Sequence, residues 1–362
     1  MKIAHIFWGL GFGGIETMLI NIANAQAKYG ADVHIVLINE LYEQSLLNKL
    51  EPSVSVHLLN RRIGSKSLYF IWKLNATLHK INPDKIHLHG PEFYAMLFYP
   101  GLRCKTSLTL HALPFSKANH GTCWGRYKAL LSLGFSDGEQ LVPLIPKLFA
   151  ISNSVKDAFN RKYDVDSDVV FNGILVSHFL PRSSCFFTPP CKIVQISRLD
   201  HHLKGQDLLI KAASLLNGKV DVTFIGDGDS MTYLKDLTNE LGMNESIHFL
   251  GKKTQEYVTT HLKEYDLFVQ PSRREGFGLT VAEAMAAKVP VLVASGQGPA
   301  EVTENNKYGW IFANGDEKDL ASQVQYIIDN YSDATKKVEL ALKHIKECYD
   351  VSVTAKRYLE LY

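Results

Sequence analysis

Short apolar runs alternate with longer amphipathic segments along most of this chain. In the first half the apolar runs are "KIAHIFW", "DVHIVLI", "SVHLL", "KIHLHG", "SLTLHA", "KLFAIS" and "DVVFNG". Segments between them, such as "SLYFIWKLNATLHKI", repeat apolar positions at helical spacing. Alternation of strand and helix predicts a parallel sheet with helices on both faces.

The same alternation restarts after residue 191. The runs "KIVQIS", "DVTFIGDG", "IHFLG", "DLFVQPS" and "PVLVAS" alternate with helical segments, and the pattern is helical from "DLASQVQYIIDNY" onward. Between the two series, residues 181–191 ("PRSSCFFTPPC") are rich in Pro and Ser, which predicts a linker or an irregular edge. The pattern therefore predicts two consecutive doubly wound α/β domains.

Length and composition agree with two globular domains. A chain of 362 residues is long for one hydrophobic core, and 46% hydrophobic with 21% charged residues is typical of soluble proteins. The five cysteines are scattered and form no Cys-x-x-Cys pair, which argues against a disulfide framework or a zinc site. With no signal region and no apolar run of about 18 residues, we expect a cytoplasmic protein.

Charge is unevenly distributed, although the net charge is only +2. Residues 1–180 carry 18 Lys and Arg against 13 Asp and Glu, whereas the remainder carries 21 against 24. The stretch Arg61–Lys80 mixes cations with aromatic side chains, which is typical of an amphipathic helix on an anionic membrane. The alternative is a helix that buries its aromatic side chains on the sheet. The first interpretation predicts peripheral association with the inner face of a membrane; no nucleic-acid partner is expected.

A glycine-rich loop follows the first predicted strand. The loop "GLGFGG" has G-x-G-x-x-G spacing at Gly9, Gly11 and Gly14. Glu40 ends the next predicted strand, as the acidic residue of a dinucleotide-binding unit would. An NAD-dependent oxidoreductase is therefore one hypothesis, but it accounts for none of the motifs in the second half.

The strongest chemical motif is "PSRREGFGLTVAEAMAAK" in the second half. A strand is predicted to end at Ser272, and a helix to begin near Leu279 or Thr280. Glycines let backbone amides approach a ligand, and a helix N-terminus favours an anion, so this loop suits a phosphate. Glu275 and Glu283 can accept paired hydrogen bonds from vicinal hydroxyls of ribose or a sugar. Alternatively, Glu275 is a loop charge and Glu283 a solvated helix residue.

Two cations follow the first predicted strand of the second half. Arg198 and Lys204 lie in "QISRLDHHLKGQDLLI", before a helix. Ligands of open parallel sheets bind at the carboxyl ends of the strands, where two cations suit a diphosphate. The alternative is a pair of surface cations in a turn.

Histidines lie at or just past strand ends in the first half. His111 follows the strand "SLTL", and His87 and His89 lie in "KIHLHG". A single histidine at such a position more often has a structural role than a catalytic one. Gly226 in "FIGDGD" is, by itself, an equally weak indication of a ligand site.

Together these motifs resemble those of the retaining GT-B glycosyltransferases of family 4. The run "EGFGLTVAE" resembles that family's Glu-seven-Glu motif, "SRLD…KG" its diphosphate clamp and "GGIE" its first glycine loop. "FIGDG", "FLG", "DLFVQPS", "VFNGI" and "FAISNSVK" are similar to its other landmarks, in the family's order. The resemblance covers about residues 2–320.

The resemblance implies a GT-B fold, in which two Rossmann-like doubly wound domains face each other across a cleft holding a nucleotide-sugar. We expect an N-terminal acceptor-side domain at 1–170 and a nucleotide-sugar-binding domain at 171–344. The final helix, 345–362, is expected to pack back on the first domain. No cofactor and no metal are expected, and no Asp-x-Asp motif ends a predicted strand.

The resemblance also implies roles for individual residues. Arg198 and Lys204 would hold the diphosphate, although a lysine six residues after the arginine is atypical. Glu275 would contact and position the donor sugar, and Glu283 would bind the ribose hydroxyls. His111 would face the sugar near its exocyclic oxygen. The other substrate-binding residues, acting mainly through backbone, would be Gly13, Gly14, Gly226, Gly251, Lys252, Gly276, Phe277, Gly278, Leu279 and Thr280.

We therefore expect a retaining, metal-independent glycosyltransferase that moves a hexose-type sugar from a nucleoside-diphosphate sugar, UDP rather than GDP. The expected acceptor is a glycan or lipid-linked molecule of bacterial surface polysaccharide or lipopolysaccharide assembly. In front-face attack the departing phosphate takes the acceptor proton, so Glu275 is not assigned as a nucleophile. The alternatives are a GT-B sugar-nucleotide epimerase or phosphorylase, the oxidoreductase, and a non-enzymatic sugar-nucleotide binder.

Overall fold

The computed structural model describes residues 1–11, 13–114, 122–183, 186 and 188–362. Phe12 of the glycine loop and Ser184, Cys185 and Phe187 of the predicted linker lie outside the described residues. The strands are β1 (Lys2–Phe7), β2 (Asp32–Asn39), β3 (Ser55–Arg61), β4 (Lys85–Leu88), β5 (Thr106–Leu110), β6 (Lys147–Ala150), β7 (Asp168–Val169), β8 (Cys191–Ile196), β9 (Val220–Ile225), β10 (Ile247–Phe249), β11 (Leu267–Gln270), β12 (Val291–Ala294) and β13 (Trp310–Phe312).

The helices are mostly short and follow individual strands. They are α1 (Gly14–Lys28), α2 (Gln44–Leu47), α3 (Tyr69–Ile81), α4 (Phe93–Met96), α5 (Pro100–Arg103), α6 (Cys123–Leu131), α7 (Asn153–Tyr163), α8 (His201–Lys204), α9 (Gln206–Ser214), α10 (Met231–Glu240), α11 (Gln255–His261), α12 (Leu279–Ala286), α13 (Gly298–Val302), α14 (Glu317–Asp329), α15 (Tyr331–Cys348) and α16 (Val351–Leu361). Short 3-10 helices span Gly138–Leu144, Val176–His178 and Leu262–Glu264.

Residues Met1–Gly173 and Val351–Tyr362 form the first of two compact units. Its sheet has the order β3-β2-β1-β4-β5-β6-β7, and neighbouring strands are parallel. Strands β1 and β2 are mostly apolar and buried along their length, as is typical of parallel strands that are covered on both faces. Helix α16 packs against α1 and buries Tyr358 completely in this unit's core.

Residues Ile174–Asp350 form the second unit. Its sheet has the order β10-β9-β8-β11-β12-β13, again with parallel neighbours. Its core joins apolar residues of β8, β9, β11 and β12 with the buried faces of α9 and α14. The prediction of Rossmann-like α/β sheets is thus confirmed for both halves of the chain.

Each sheet has one position where the direction of strand order reverses. In the first unit it lies between β1 and β4, and in the second between β8 and β11. Loops leaving the carboxyl ends of two such strands diverge to opposite faces and leave a crevice, which is where open α/β sheets bind ligands. This topology selects the loops after β1 and β4 in one unit and those after β8 and β11 in the other.

The predicted basic helix at Arg61–Lys80 is wrong in its extent. Arg61 is the last residue of β3, and α3 begins only at Tyr69. Arg61 donates hydrogen bonds to Asn39 Oδ1 at 3.1 Å and to the Ser65 carbonyl at 2.6 Å. Its guanidinium also lies 5.1 Å from the ring of Phe70, so this cation is part of the unit's own structure.

The Pro- and Ser-rich segment after residue 180 is anchored to the second unit. Arg182 forms an ion pair with Asp266 at 2.5 Å, and both side chains are nearly buried. Arg182 also donates to the carbonyl of Tyr265 at 2.8 Å. Arg182 therefore belongs structurally to the second unit.

Candidate functional site

The loop after β8 is packed tightly against backbone from neighbouring loops. Gly226 follows β9 with φ of +146°, and a Cβ there would lie 1.9 Å from the carbonyl oxygen of Ser197. Gly205 has φ of +66°, and its Cβ would lie 2.0 Å from the carbonyl oxygen of Pro271. Both positions require glycine because an L side chain is disfavoured by its φ and would meet backbone. The three strand ends are thereby held close together.

The loop after β11 is fixed to α8 and α9 by a second set of contacts. Arg273 makes two hydrogen bonds to Asp207, at 2.7 and 2.8 Å, and a third to the carbonyl of His201 at 2.6 Å. The backbone amide of Arg274 donates to the carbonyl of Leu203 at 3.2 Å. A bidentate arginine–carboxylate pair has fixed geometry, so it orients the loop that follows.

Lys204 and Glu275 form an ion pair at this edge of the sheet. About a fifth of each side chain is exposed, 21% and 20% respectively. The Glu275 amide donates to Oε1 of Gln297 at 3.0 Å, which holds the carboxylate's backbone in place. The structure thus brings together a cation and a carboxylate that the sequence analysis assigned to neighbouring parts of one ligand.

Arg198 makes a different contact. Its guanidinium pairs with Asp200 at 3.0 Å, and 65% of its side chain is exposed. Among the residues the structure describes, no ion pair joins Arg198 to Glu275. Arg198 therefore lies on the predicted loop, largely exposed and paired with Asp200.

The glycine turn between Glu275 and α12 is buried. Gly278 has φ of +97° and caps α12, which begins at Leu279 as predicted; Thr280 is the next residue. Phe277 is 2% exposed, and its ring lies 5.7 Å from that of Tyr349. Gly276 and Gly278 are also buried. The Phe277 side chain is therefore in the core, and the turn is a tightly packed connection between Glu275 and the start of α12.

Glu283 is buried on α12, so the interpretation of a solvated helix residue is wrong. Gln255 on α11 donates to its Oε1 at 2.8 Å. Burial raises the pKa of Glu283 to about 7, and the hydrogen bond from Gln255 partly opposes that shift. A buried carboxyl held by one amide keeps acceptor positions for a second partner.

Gly226 follows β9, and Gly251 and Lys252 follow its neighbour β10 in the same sheet. The amide of Gly226 donates to the carbonyl of Gly251 at 3.0 Å, and Gly251 has φ of +66°. The Lys252 side chain is exposed. These positions form one rim with the loops after β8 and β11.

In the first unit the glycine loop leads directly into α1. Gly13 is the residue before the helix and Gly14 its first residue. The carboxylate of Glu16 folds back so that a Cβ on Gly13 would lie 2.3 Å from its Oε2, and burial raises the pKa of Glu16. Gly9 instead allows close packing of two loops, because a Cβ at this position would lie 2.5 Å from the carbonyl oxygen of Leu41. The dinucleotide spacing thus includes one glycine that serves loop packing.

His111 lies one residue past β5 at a cavity of about 450 Å³ in the first unit. His89, Glu92 and Asp137 line the same cavity. Nε2 of His111 lies 3.0 Å from Nδ1 of His89, and burial lowers the pKa of His111 to about 4. His111 is therefore neutral at pH 7 and hydrogen-bonded to a second histidine.

Sequence reasoning missed the residues that support these groups. Gln255, Gln297 and the Asp207–Arg273 pair have no motif, because each acts through a partner far away in the chain. His5 had a signal that was not used: a histidine inside the apolar strand "KIAHIF" must find a buried hydrogen-bond partner. His87, named as structural, is fully buried and bonded to Thr109 at 2.7 Å.

Comparison with known proteins gives matches along nearly the whole chain. A model described as Glycosyltransferase Family 4 matches residues 12–177, and one described as Glycosyl transferases group 1 matches 179–344. An uncharacterized glycosyltransferase of Methanocaldococcus jannaschii is 24% identical over 396 residues, covering 100% of this chain and 98% of the relative.

Two further similarities cover most of the chain. The lipopolysaccharide core biosynthesis glycosyltransferase LpsD of Rhizobium meliloti is 24% identical over 336 residues, covering 91% of this chain and 89% of LpsD. The crystal structure of HepE from Anabaena, in complex with UDP, is 20% identical with a TM-score of 0.81 and covers 99% of both chains. No helix in the described ranges is long and apolar enough to cross a membrane.

Proposed function

Because its two halves match the family models of glycosyltransferases, this chain belongs to the glycosyltransferases, and we propose that it is a retaining, metal-independent hexosyltransferase using a UDP-sugar. The acceptor we propose is a glycan or lipid-linked molecule of bacterial surface polysaccharide or lipopolysaccharide assembly. LpsD, whose name places it in lipopolysaccharide core biosynthesis, supports this class of acceptor. HepE, solved with UDP and with UDP-glucose, supports the donor.

The observation that carries the proposal is the Lys204–Glu275 ion pair beside the N-terminus of α12. Breaking the bond between the sugar and the diphosphate develops negative charge on the leaving group. Lys204 and the backbone amides around Gly278 are suited to stabilise that charge, which is often the largest contribution to catalysis. Exposed Arg198 is proposed as a second cation for the diphosphate.

Glu275 is proposed to position the donor sugar instead of attacking it. A retaining enzyme with a covalent intermediate requires a carboxylate free to act as nucleophile. The Glu275 carboxylate is engaged by Lys204, and its backbone is held by Gln297. In the proposed front-face reaction the departing phosphate oxygen removes the acceptor proton, so no protein base is required.

Glu283 is proposed to accept hydrogen bonds from the ribose hydroxyls, with Gln255 fixing its second oxygen. Gly226, Gly251 and Lys252 are proposed to contact the base, and Gly13 and Gly14 to bind phosphate through their backbone amides. His111 is proposed to hydrogen-bond a sugar hydroxyl. These assignments give each ligand group a partner of matching chemistry.

Thermal shift with UDP, GDP and NAD tests the donor class, because a ligand that binds the native state raises stability with its concentration. We expect UDP to stabilise the protein more than GDP and NAD not at all. Stabilisation by NAD alone would overturn the proposal in favour of an oxidoreductase. Product analysis by NMR, showing the anomeric configuration of the donor in the product, tests retention and excludes an epimerase.

The membrane part of the proposal rests on the N-terminal end of α3. Tyr69 and Trp72 are 58% and 59% exposed, and their rings stack with centroids 5.7 Å apart. Lys73 lies 5.3 Å from the Tyr69 ring, whereas Phe70 and Ile71 are buried. Exposed aromatic rings beside cations suit the interface of an anionic bilayer.

Flotation with vesicles of anionic lipid at low salt tests this surface. We expect the protein to float with the vesicles and Trp72→Ala to reduce the bound fraction severalfold. Trp124→Ala is the matched control, because Trp124 is equally exposed, at 63%, and stacks on Tyr127 elsewhere in the same unit. Equal loss in both variants, or no binding by the unaltered protein, would remove the membrane from the proposal.

A further inference from the structure

A row of histidines crosses the centre of the first unit's sheet. His5 on β1 is paired in register with His87 on β4, and His89 and His111 follow the ends of β4 and β5. His5 and His89 stack with ring centroids 5.3 Å apart, as do His89 and His111. His5, His87 and His89 are buried, so each nitrogen that lacks a partner would cost free energy.

Hydrogen bonds join part of this row into one chain. Gln26 Oε1 lies 2.8 Å from His5 Nε2, His5 Nδ1 lies 3.1 Å from His89 Nε2, and His89 Nδ1 lies 3.0 Å from His111 Nε2. The other end of the Gln26 amide, Nε2, donates to the Tyr362 hydroxyl at 3.4 Å. The chain therefore begins at α1 and at Tyr362, the residue after α16, and ends at the cavity lined by His111.

Each link determines the next, because a neutral imidazole has one donor and one acceptor nitrogen. With the Gln26 oxygen towards His5, the His5 proton is on Nε2 and its Nδ1 accepts. His89 must then carry its proton on Nε2, and by the same rule so must His111. Nδ1 of His111 is left unprotonated, and it has no hydrogen-bond partner among the residues that the structure describes.

The hydrogen bonds around His87 are consistent with these proton positions. Tyr362, which accepts from Gln26, can donate to Nδ1 of His87. Nε2 of His87 then donates to Thr109 Oγ1 at 2.7 Å, and Thr109 donates to the Tyr358 hydroxyl at 3.0 Å. Burial lowers the pKa of all four histidines and raises that of both tyrosines, so every group in the network is neutral at pH 7.

The structure also brings the side chains of His5, His87 and His89 close enough to hold a metal ion. Both nitrogens of His87 are already hydrogen-bonded, to Tyr362 and to Thr109, and His5 and His89 bond each other. A metal would break at least one bond of each histidine. The hydrogen-bonded network accounts for the same geometry without that cost.

We propose that Gln26, His5 and His89 are positioning residues that hold His111 in the tautomer protonated on Nε2, so that its Nδ1 accepts a hydrogen bond from a sugar hydroxyl. The sugar belongs to either the donor or the acceptor. The ligand part rests on the proposed function, whereas the tautomer of His111 does not.

Long-range 1H–15N correlation spectra of the full chain labelled with 15N-histidine report each tautomer directly. In the ligand-free protein at pH 7 we expect His111 to carry its proton on Nε2, with His111→Gln identifying its signals. A proton on Nδ1 of His111 would overturn the proposal, because it would reverse the direction of the whole chain.

Variants of His89 test whether the row controls that tautomer. His89→Phe keeps a stacking ring but removes both nitrogens, so we expect His111 to become a mixture of tautomers. His89→Gln presents one donor and one acceptor and should restore the single tautomer. His57→Phe is the matched control, because His57 pairs with His34 at 3.0 Å on the same sheet but outside the row. An unchanged His111 spectrum in His89→Phe would overturn the positioning role.

Three probes test the ligand. Saturating UDP-glucose should move the His111 Nδ1 resonance if the hydroxyl is the donor's, and methyl glucoside should do so if it is the acceptor's, whereas UDP alone should not. If UDP-glucose moves the resonance, the factor by which it binds more tightly than UDP should shrink about threefold to tenfold in His89→Phe. If methyl glucoside moves it, the affinity for methyl glucoside should fall by the same factor in that variant. If neither sugar moves the resonance although UDP binds, the ligand part is wrong and the donor proposal stands. If UDP does not bind, the proposed function fails and the tautomer result is unaffected.

Discussion

Lys204 and Glu275 are 71 positions apart in the sequence, and their side chains form an ion pair where β8 and β11 end. The pair lies at the position where the strand order of the second sheet reverses. Its two members were predicted to contact different groups of one ligand, the diphosphate and the sugar. In the ligand-free molecule each neutralises the other, and a lysine ammonium has three donors, so Lys204 keeps donors for a diphosphate while it is paired with Glu275.

We expect Lys204→Met to weaken UDP binding about tenfold to a hundredfold, because hydrogen bonds to charged groups contribute about 1.5–3 kcal/mol. The loss of a partly exposed ion pair should lower the free energy of unfolding by only about 1 kcal/mol or less. Isothermal titration calorimetry and chemical denaturation measure the two effects. Lys235→Met, at an exposed position of α10, is the control; equal UDP affinity in both variants would contradict the diphosphate assignment.

UDP affinity should depend on pH through Glu283. Its pKa of about 7 means that the carboxyl binds a proton as the pH falls below 7 and then loses acceptor capacity for ribose hydroxyls. We expect the dissociation constant for UDP to rise as the pH is lowered from 8 to 6. Glu283→Gln should bind UDP about tenfold more weakly than the unaltered protein at pH 8, and its affinity for UDP should be nearly independent of pH.

Glu283 also affects the free energy of unfolding, with a pH dependence opposite to that of UDP affinity. Because the folded-state pKa is raised, protonated Glu283 favours folding below its ordinary pKa, and this contribution is lost as the pH rises through 7. Glu283→Gln should therefore remove a decline in the free energy of unfolding between about pH 4.5 and 7. Glu256→Gln, at an exposed position of α11, should leave both pH profiles as they are in the unaltered protein.

The histidine row should make the first unit sensitive to acid. The pKa of His5 and of His111 is about 4 in the folded state, so the unfolded chain binds protons that the native state does not as the pH falls from about 6.5 to 4. Each histidine steepens the fall in the free energy of unfolding by up to about 1.4 kcal/mol per pH unit. Denaturation of His111→Gln at pH 7 and pH 5 should show a smaller difference than in the unaltered protein. An identical difference would contradict burial as the cause of the low pKa.

Gly226 should tolerate alanine much less well than Gly242. Both have positive φ. A Cβ on Gly226 would lie 1.9 Å from the carbonyl oxygen of Ser197, whereas a Cβ on Gly242 would meet no non-neighbouring residue within 4 Å. Gly242→Ala should therefore cost about 1 kcal/mol for backbone conformation alone. Gly226→Ala should cost about 2 kcal/mol or more beyond that, and it should also weaken UDP binding because the loop after β8 must move. Denaturant titration of the two variants checks this comparison. Equal unfolding midpoints would contradict it.

The sequence predicted those features that repeat along the chain or lie within one loop. Period-two and period-3.6 patterns indicated the strands and helices, and the turn "EGFGLT" indicated where α12 begins. The extent of α3 was missed because the pattern of "RRIGSKSLYF" does not show that Arg61 bonds Asn39 and Ser65. The hydrogen bond to Glu283 was missed because its donor, Gln255, lies on another helix.

Helix α16 is synthesised after the whole second unit, although it belongs to the first. Residues 174–350 form a whole unit inserted between β7 and α16 of the first. A ribosome therefore finishes the second unit before it supplies Tyr358 and Tyr362, the side chains that cover His87 and Phe149. The first unit is therefore completed after the second, although most of its residues are synthesised earlier. Until then the histidine row lacks the Tyr362 hydroxyl to which Gln26 donates.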